Sequence, residues 1–100
     1  MKLVRDRIPE IMREKGKKPI FRFAQDKEFE KFLLKKVNEE LTEFEGFHAV
    51  EELADLIEAV YSLGKLKGIS PKDLEKIRLN KIKKNGDFSK RIILKNPASQ

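Results

Sequence analysis

The chain contains no cysteine and no tryptophan, and it has a single histidine among its 100 residues. Without cysteine, disulfide bonds, thiolate zinc sites and a cysteine nucleophile are all excluded. Apolar runs are short, since charge interrupts the N-terminal segment by Arg5, and no stretch approaches the roughly 20 apolar residues of a membrane span. The sequence also lacks a Walker-type loop and a G-x-G-x-x-G pattern. We therefore expect a soluble, cytoplasmic protein with no membrane partner.

Charged residues, by contrast, are abundant. Lysine and arginine number 23 against 17 acids, which gives a formal net charge of +6 at pH 7. A basic balance favours anionic partners, and both nucleic acids and free phosphate compounds fit that description. A chain of this length buries only roughly 60 to 65 per cent of the surface that it exposes when unfolded. Small helical proteins often complete their core by oligomerising, so the composition leaves both the anionic partner and the oligomeric state open.

Two long helices joined by a short bend form the centre of the predicted fold. Asp26 is the expected N-cap of the first helix, which runs to about Phe44, and Gly46 is expected to interrupt it. The second helix continues to Lys67 and Gly68. Both helices carry apolar residues at helical spacing. A bend this short makes the two helices antiparallel neighbours.

Shorter elements flank this pair. Residues 8–16 predict a short helix, and Ser70, as an N-cap, opens a further helix that ends near Gly86. Residues 17–24 predict a connector or a short edge strand, and residues 92–100 a partly frayed tail that follows a brief strand-like run. We therefore predict a mainly all-α fold, with the antiparallel pair in a four-helix-type bundle and minor extended segments near both termini.

Four acids occupy unusual positions on the two long helices. On a helical wheel, Glu40 falls inside the apolar face of the first helix and Glu43 lies near its edge. Glu52 and Asp55 hold the corresponding positions on the second helix, at the same i, i+3 spacing. Glu43 and Glu52 are equidistant from the bend, as are Glu40 and Asp55. Across neighbouring antiparallel helices, the four carboxylates should therefore converge on one patch.

Converging carboxylates repel one another unless cations neutralise them or protons bind. Oxygen ligands suit Mg²⁺ or Mn²⁺, which favour carboxylate and water. The four acids therefore predict a divalent-metal site. The alternative is a solvated face on which glutamates pair with lysines, as on most charged helices.

The acids lie in the segments ELTE and ELAD, which form the pattern E-x-x-E followed by E-x-x-D. Together with KLVRDRIPEI at the start and KIKKNGDFSKRIIL near the end, they resemble the all-α nucleoside triphosphate pyrophosphohydrolase superfamily. That superfamily includes MazG, the dimeric dUTP pyrophosphatases and the phosphoribosyl-ATP pyrophosphohydrolases. The resemblance spans most of the chain and implies that residues 1–100 form a single MazG-like domain. Asn85 and Asp87 depart from it, because short MazG-like proteins have arginine and glycine there.

The resemblance implies a Mg²⁺-dependent hydrolase that splits a nucleoside triphosphate between its α- and β-phosphates into a monophosphate and pyrophosphate. By motif position, the metal ligands would be Glu40, Glu43, Glu52 and Asp55. A carboxylate within reach of the attacking water can accept its proton, and we assign that role to Glu40. The cations expected to hold the phosphates are Arg5, Arg78, Lys81 and Lys84. Lys81, Lys83 or Lys84 would replace the missing family arginine.

The resemblance also implies a homodimer or a higher homo-oligomer. The second long helix supports this independently, because its apolar residues sweep about 240° of the helical wheel. Two neighbouring helices in a small monomer would not readily cover so wide a face, and soluble monomers rarely leave such patches exposed.

The rival interpretation is a basic helical module that binds nucleic acid without catalysis. Six cations and a single acid, Asp87, lie between Lys81 and Lys95. Against this interpretation, no helix resembles a recognition helix, and clustered carboxylates would repel phosphate unless metal ions intervene. A purely structural bundle would scatter its acids outward. The inward acids favour the enzyme, while the preferred base and sugar, and a house-cleaning or biosynthetic role, stay open.

Overall fold

The structure, a computed structural model, describes residues 1–96, and the last four residues of the predicted tail lie outside that range. It contains four helices: α1 (Ile8–Glu14), α2 (Asp26–Phe47), α3 (Val50–Leu66) and α4 (Pro71–Asn85). The all-α prediction is confirmed, with 64% of the structure helical. Neither residues 17–24 nor residues 91–94 form a strand. None of the described helices is long and apolar enough to cross a membrane.

The start of α2 differs from the prediction by one residue. Asp26 is the first helical residue, and the N-cap is Gln25, whose backbone is extended and whose side chain makes no capping hydrogen bond. The predicted capping role of Asp26 is therefore wrong. Its carboxylate, together with that of Glu28, still lies in the first turn, where negative charge interacts favourably with the helix dipole.

The bend between α2 and α3 lies at His48 and Ala49, not at Gly46 as predicted. Gly46 is helical, whereas His48 adopts the left-handed conformation, with φ of 54°, that commonly ends a helix. The backbone N–H of His48 donates to the carbonyl oxygen of Phe44 at 2.7 Å. The two rings also pack edge to face, with centroids 5.6 Å apart. These two contacts stabilise an ending that glycine was expected to supply.

Helices α2 and α3 form an antiparallel hairpin, as predicted. At its open end, Nζ of Lys67 lies 2.7 Å from a carboxylate oxygen of Glu30 near the start of α2. The core between the helices is small: within residues 1–96, its buried apolar residues are Leu33 and Ala59. The third buried residue is an acid, Glu40. A charged side chain therefore occupies a position where the helical pattern alone would place an apolar one.

Helix α4 packs against α3 and begins as predicted. The hydroxyl oxygen of Ser70 accepts a hydrogen bond from the backbone N–H of Asp73 at 3.1 Å, which confirms Ser70 as the N-cap. The close approach of the connecting loop favours glycine at position 64, where a Cβ would lie 3.3 Å from the carbonyl oxygen of Ile69. This packing fixes α4 on the side of α3.

The N-terminal segment lies along the hairpin. Met1 lies beside the first turns of α2, where it lines a cavity together with Lys31 and Phe32. Four residues later, Arg5 reaches Asp55 on α3. Four extended residues span roughly 13 Å, about the rise of nine helical residues. We call residues 1–5 the N-terminal strap, because they run from the open end of the hairpin to its middle.

Candidate metal centre

Three of the four predicted metal ligands come together between α2 and α3. Carboxylate oxygens of Glu40, Glu52 and Asp55 all lie within 4.8 Å of one another. Glu52 and Asp55 are three residues apart on α3 and so share a helix face, and Glu40 approaches them from α2. The pairing of the two helices in the hairpin therefore brings the three side chains together. We call these three residues the acid cluster.

Glu40 is the most buried member of the acid cluster, with 4% of its surface exposed. Its Oε1 lies 3.3 Å from Nζ of Lys36, one turn earlier on α2. Its Oε2 is buried and has no hydrogen-bond partner in the described residues. A buried carboxylate oxygen without a partner costs free energy, because it has lost water and gained nothing in exchange. Such an atom is an available ligand for a cation.

The electrostatics of Glu52 show how strongly the acids interact. The carboxylate of Glu40, partial burial and the neighbouring Glu43 together raise the pKa of Glu52 to about 7. Proton uptake by Glu52 relieves the repulsion between these carboxylates, and a bound cation would relieve the same repulsion. The acid cluster therefore favours whichever positive species is available, proton or metal.

Asp55 already has a positive partner. Nη2 of Arg5 donates a hydrogen bond to Oδ1 of Asp55 at 2.5 Å, and 61% of the Arg5 side chain stays exposed. The hydrogen bond raises the pKa of the Arg5 guanidinium above its usual value, and the charges of Glu58 and Glu40 act in the same direction. Arg5 is thus the one predicted phosphate-binding cation that the described chain brings to the acid cluster.

Glu43 lies beside the acid cluster and not within it. It is half-buried, and its charge contributes to the raised pKa of Glu52. Its carboxylate is outside the group of three that share a 4.8 Å limit. The structure therefore shows a three-carboxylate centre with a fourth acid adjacent to it.

The other predicted phosphate-binding residues lie on α4. Within residues 1–96, none of them forms an ion pair with the acid cluster. Arg78 pairs with Glu75 on its own helix at 2.7 Å, and this contact raises the pKa of Arg78. Lys81 and Lys84 are exposed near the end of α4. The single chain does not bring these three cations to the acid cluster.

Two contacts of the site were not predicted from the sequence. The pairing of Lys36 with Glu40 has a readable signal, namely opposite charges at i, i+4 spacing. The contact between Arg5 and Asp55 joins residues 50 positions apart, and the strap that carries Arg5 has no periodic pattern. No local signal in the sequence could have found that second contact.

No family model matches this chain, and neither the curated proteins nor the solved structures compared with it give a match. Its chemistry is therefore argued from its own residues. Three carboxylates on two helices, one of them buried with a free oxygen, form a donor set of the kind that binds Mg²⁺ or Mn²⁺.

Proposed function

We propose that this protein is a Mg²⁺-dependent nucleotide pyrophosphohydrolase, which cleaves a nucleoside triphosphate or related nucleotide between its α- and β-phosphates. The observation that carries the proposal is the buried Glu40, whose unpartnered Oε2 belongs to a cluster shared with Glu52 and Asp55. The resemblance of the motifs ELTE and ELAD to the pyrophosphohydrolase superfamily supports the choice of reaction. A nucleotide substrate makes the cytoplasm the expected compartment.

The acid cluster fits a divalent cation, or a pair of them, in the chemistry of its donors. Glu40, Glu52 and Asp55 would hold the cation, and Glu43 would assist from its position beside Glu52. When bound, Mg²⁺ or Mn²⁺ supplies positive charge beside the phosphate oxygens and lowers the pKa of the attacking water. The fit explains why a fold with so small a core keeps acids between its two main helices.

In the proposed reaction, a residue of the chain accepts the proton of the attacking water. The oxygen of water attacks the α-phosphorus, the bond from that phosphorus to the bridging oxygen breaks, and pyrophosphate leaves. We assign the proton from water to a carboxylate of the acid cluster, with Glu40 as the base. Its Oε1 is engaged by Lys36, whereas Oε2 has no partner and is the oxygen open to the cation or to this proton. The geometry thus distinguishes the two oxygens of this one side chain.

Arg5 is the proposed phosphate contact. Its guanidinium lies at the edge of the acid cluster and is more than half exposed, so a substrate can reach it. Arginine presents several N–H donors in a planar fork that matches phosphate oxygens. Arg78, Lys81 and Lys84 are less suited in the single chain, because α4 holds them apart from the acids. The proposal therefore concentrates phosphate recognition on the N-terminal strap.

We also propose that the functional unit is a homodimer or a higher homo-oligomer. The chain exposes 9336 Å², whereas a compact monomer of 11.7 kDa would expose roughly 5,900 Å². Its radius of gyration is 17.5 Å, against roughly 13 Å for a compact chain of this length. Apolar side chains on the hairpin remain exposed, among them Leu34, Leu41, Leu53, Ile57 and Val60. Hairpins from two chains would bury these faces in a four-helix bundle.

The proposed reaction is tested by incubating the protein with a panel of nucleoside triphosphates and Mg²⁺ and measuring pyrophosphate. Glu52→Gln removes one charge from the acid cluster and should abolish turnover. Glu51→Gln makes the same change at an exposed neighbouring position of α3 and should leave turnover intact. Turnover that survives Glu52→Gln at the wild-type rate would place the chemistry elsewhere.

A further inference from the structure

The guanidinium of Arg5 binds a carboxylate that a metal ion at the acid cluster would also use. Its hydrogen bond goes to Oδ1 of Asp55, and Asp55 is one of the three members of the acid cluster. Arginine keeps its charge at all ordinary pH values. Its contact with Asp55 therefore costs electrostatic free energy once a second cation binds beside it. The two positive species therefore compete for one carboxylate.

We propose that Arg5 is a built-in competitor of the divalent cation: it holds Asp55 while the site is free of metal, and metal binding releases it to the phosphates of the substrate. The identity of the cation and of the substrate rests on the proposed function. The competition itself rests only on the contact between Arg5 and Asp55 and on the membership of Asp55 in the acid cluster.

The backbone of Arg5 is anchored to the start of α1, so exchange requires a movement of its side chain only. On the C-terminal side, the backbone N–H of Ile8, the first residue of α1, donates to the carbonyl oxygen of Arg5 at 3.0 Å. On the N-terminal side, Met1 is almost fully exposed, and its sulfur accepts a long contact of 3.7 Å from Arg22. The guanidinium can therefore leave Asp55 while the backbone hydrogen bond from Ile8 stays in place.

The energetics favour displacement. Arg5 offers Asp55 a single hydrogen bond on an exposed surface, where ion pairs contribute little. A divalent cation instead gains all three carboxylates of the acid cluster at once. The freed guanidinium then lies at the edge of the site, where phosphate oxygens can accept two parallel hydrogen bonds from it. Metal and phosphate recognition are thereby coupled through one side chain.

The test is a calorimetric titration with Mn²⁺ alone, at low ionic strength and without nucleotide. Arg5→Gln removes the competitor and should bind Mn²⁺ roughly two- to fivefold more tightly than the wild type, the range expected for loss of one exposed ion pair. Arg7→Gln is the matched control. Arg7 lies two residues from Arg5 and pairs with Glu10, so this variant removes the same charge from a side chain outside the acid cluster. The control should bind Mn²⁺ with nearly the wild-type affinity.

A second readout separates displacement from a general change of charge. In the NMR spectrum of the wild type, the Nε–Hε resonance of Arg5, identified by its loss in Arg5→Gln, should move when Mg²⁺ saturates the protein. The corresponding resonance of Arg7 should not move. An Arg5 resonance that stays in place would overturn the proposal, as would equal Mn²⁺ affinities for Arg5→Gln and Arg7→Gln.

The same titration distinguishes failure of this inference from failure of the proposed function. If the wild type binds Mn²⁺ and the two variants do not differ, Arg5 is no competitor but the metal centre stands. If Arg5→Gln binds Mn²⁺ and the wild type does not, the competition is stronger than expected and the proposal is supported. If none of the three proteins binds Mn²⁺, the metal centre and the proposed competition are both wrong.

Discussion

The ammonium group of Lys36 lies 3.3 Å from Oε1 of Glu40, one turn further along the same helix. Lys36 therefore places a positive charge beside a carboxylate that is almost completely buried. It engages one oxygen of Glu40 and leaves the other, Oε2, without a partner. Lys36 thus lowers the free-energy cost of burying Glu40 and leaves Oε2 open to a cation.

Replacement of Lys36 by methionine should lower the melting temperature of the metal-free protein, because the buried carboxylate of Glu40 loses its partner. We expect a loss on the order of 1 kcal/mol in the free energy of unfolding. Saturating Mg²⁺ should recover most of this loss, so the variant should respond to metal more strongly than the wild type. Lys35→Met changes an exposed neighbour and is the control. An equal loss in both variants would contradict the role assigned to Lys36.

Divalent metal should stabilise the wild type by mass action on the folded state. At a metal concentration a hundredfold above the dissociation constant, the expected stabilisation is about 2.7 kcal/mol, which raises the melting temperature by about 10 °C or more. Glu52→Gln removes a ligand and should reduce this response sharply, whereas Glu51→Gln should retain it. Thermal unfolding with and without Mg²⁺ checks both variants. A melting curve unchanged by millimolar metal would rule out the site.

The raised pKa of Glu52 predicts a pH dependence of metal-free stability. Its folded-state pKa is about 7, well above the ordinary value for glutamate, roughly 4.3. Between these values the folded state holds a proton that the unfolded state has released, so stability falls as pH rises through this window. The melting temperature of the metal-free wild type should therefore decline from about pH 5 to about pH 7, relative to Glu52→Gln. A difference between the two proteins that is independent of pH would contradict this.

Metal affinity should show the opposite trend, because the cation and the proton compete for the same carboxylates. Calorimetric titration with Mn²⁺ at several pH values should give tighter binding as pH rises through about 7, together with proton release. This trend and the decline in metal-free stability have one cause, the protonation of Glu52.

The sequence was sufficient to predict the main helices and the inward position of Glu40. The helical wheel placed that acid inside the apolar face, and the structure buries it. The wheel works because the spacing of apolar residues in a helix is fixed by 3.6 residues per turn. The bend was predicted less well: the left-handed residue is His48, where a hydrogen bond to Phe44 stabilises the backbone, and not the glycine two residues earlier.

The detailed composition of the acid cluster could not be predicted in the same way. Distance from the bend gives the level of each acid along the hairpin, but it does not give the crossing angle of the helices or the rotamers of the side chains. The crossing angle and the rotamers determine that Glu40 lies close to both Glu52 and Asp55, while Glu43 lies beside the acid cluster. The approach of Arg5 depends on the path of an irregular strap, which no periodic pattern encodes.

The exposed apolar faces predict that the chain is a homodimer or a higher homo-oligomer in solution. Ile57, exposed on α3, should lie in the interface, and Ile57→Glu should shift the protein toward monomer, because it would bury an unpaired charge there. Asn80→Glu adds the same charge on exposed α4 and is the control. Sedimentation equilibrium at micromolar concentration checks the assembly. A wild type that sediments as a stable, active monomer of 11.7 kDa would contradict the prediction.

The central claim, hydrolysis by attack of water at the α-phosphorus, is tested most directly by the reaction in ¹⁸O-labelled water with Mg²⁺ and the best triphosphate of the panel. Mass spectrometry then locates the label. We expect nucleoside monophosphate and unlabelled pyrophosphate as primary products, with the ¹⁸O in the monophosphate. Diphosphate and orthophosphate as primary products, or label found in pyrophosphate, would contradict the proposed reaction even if cleavage required metal and the acid cluster.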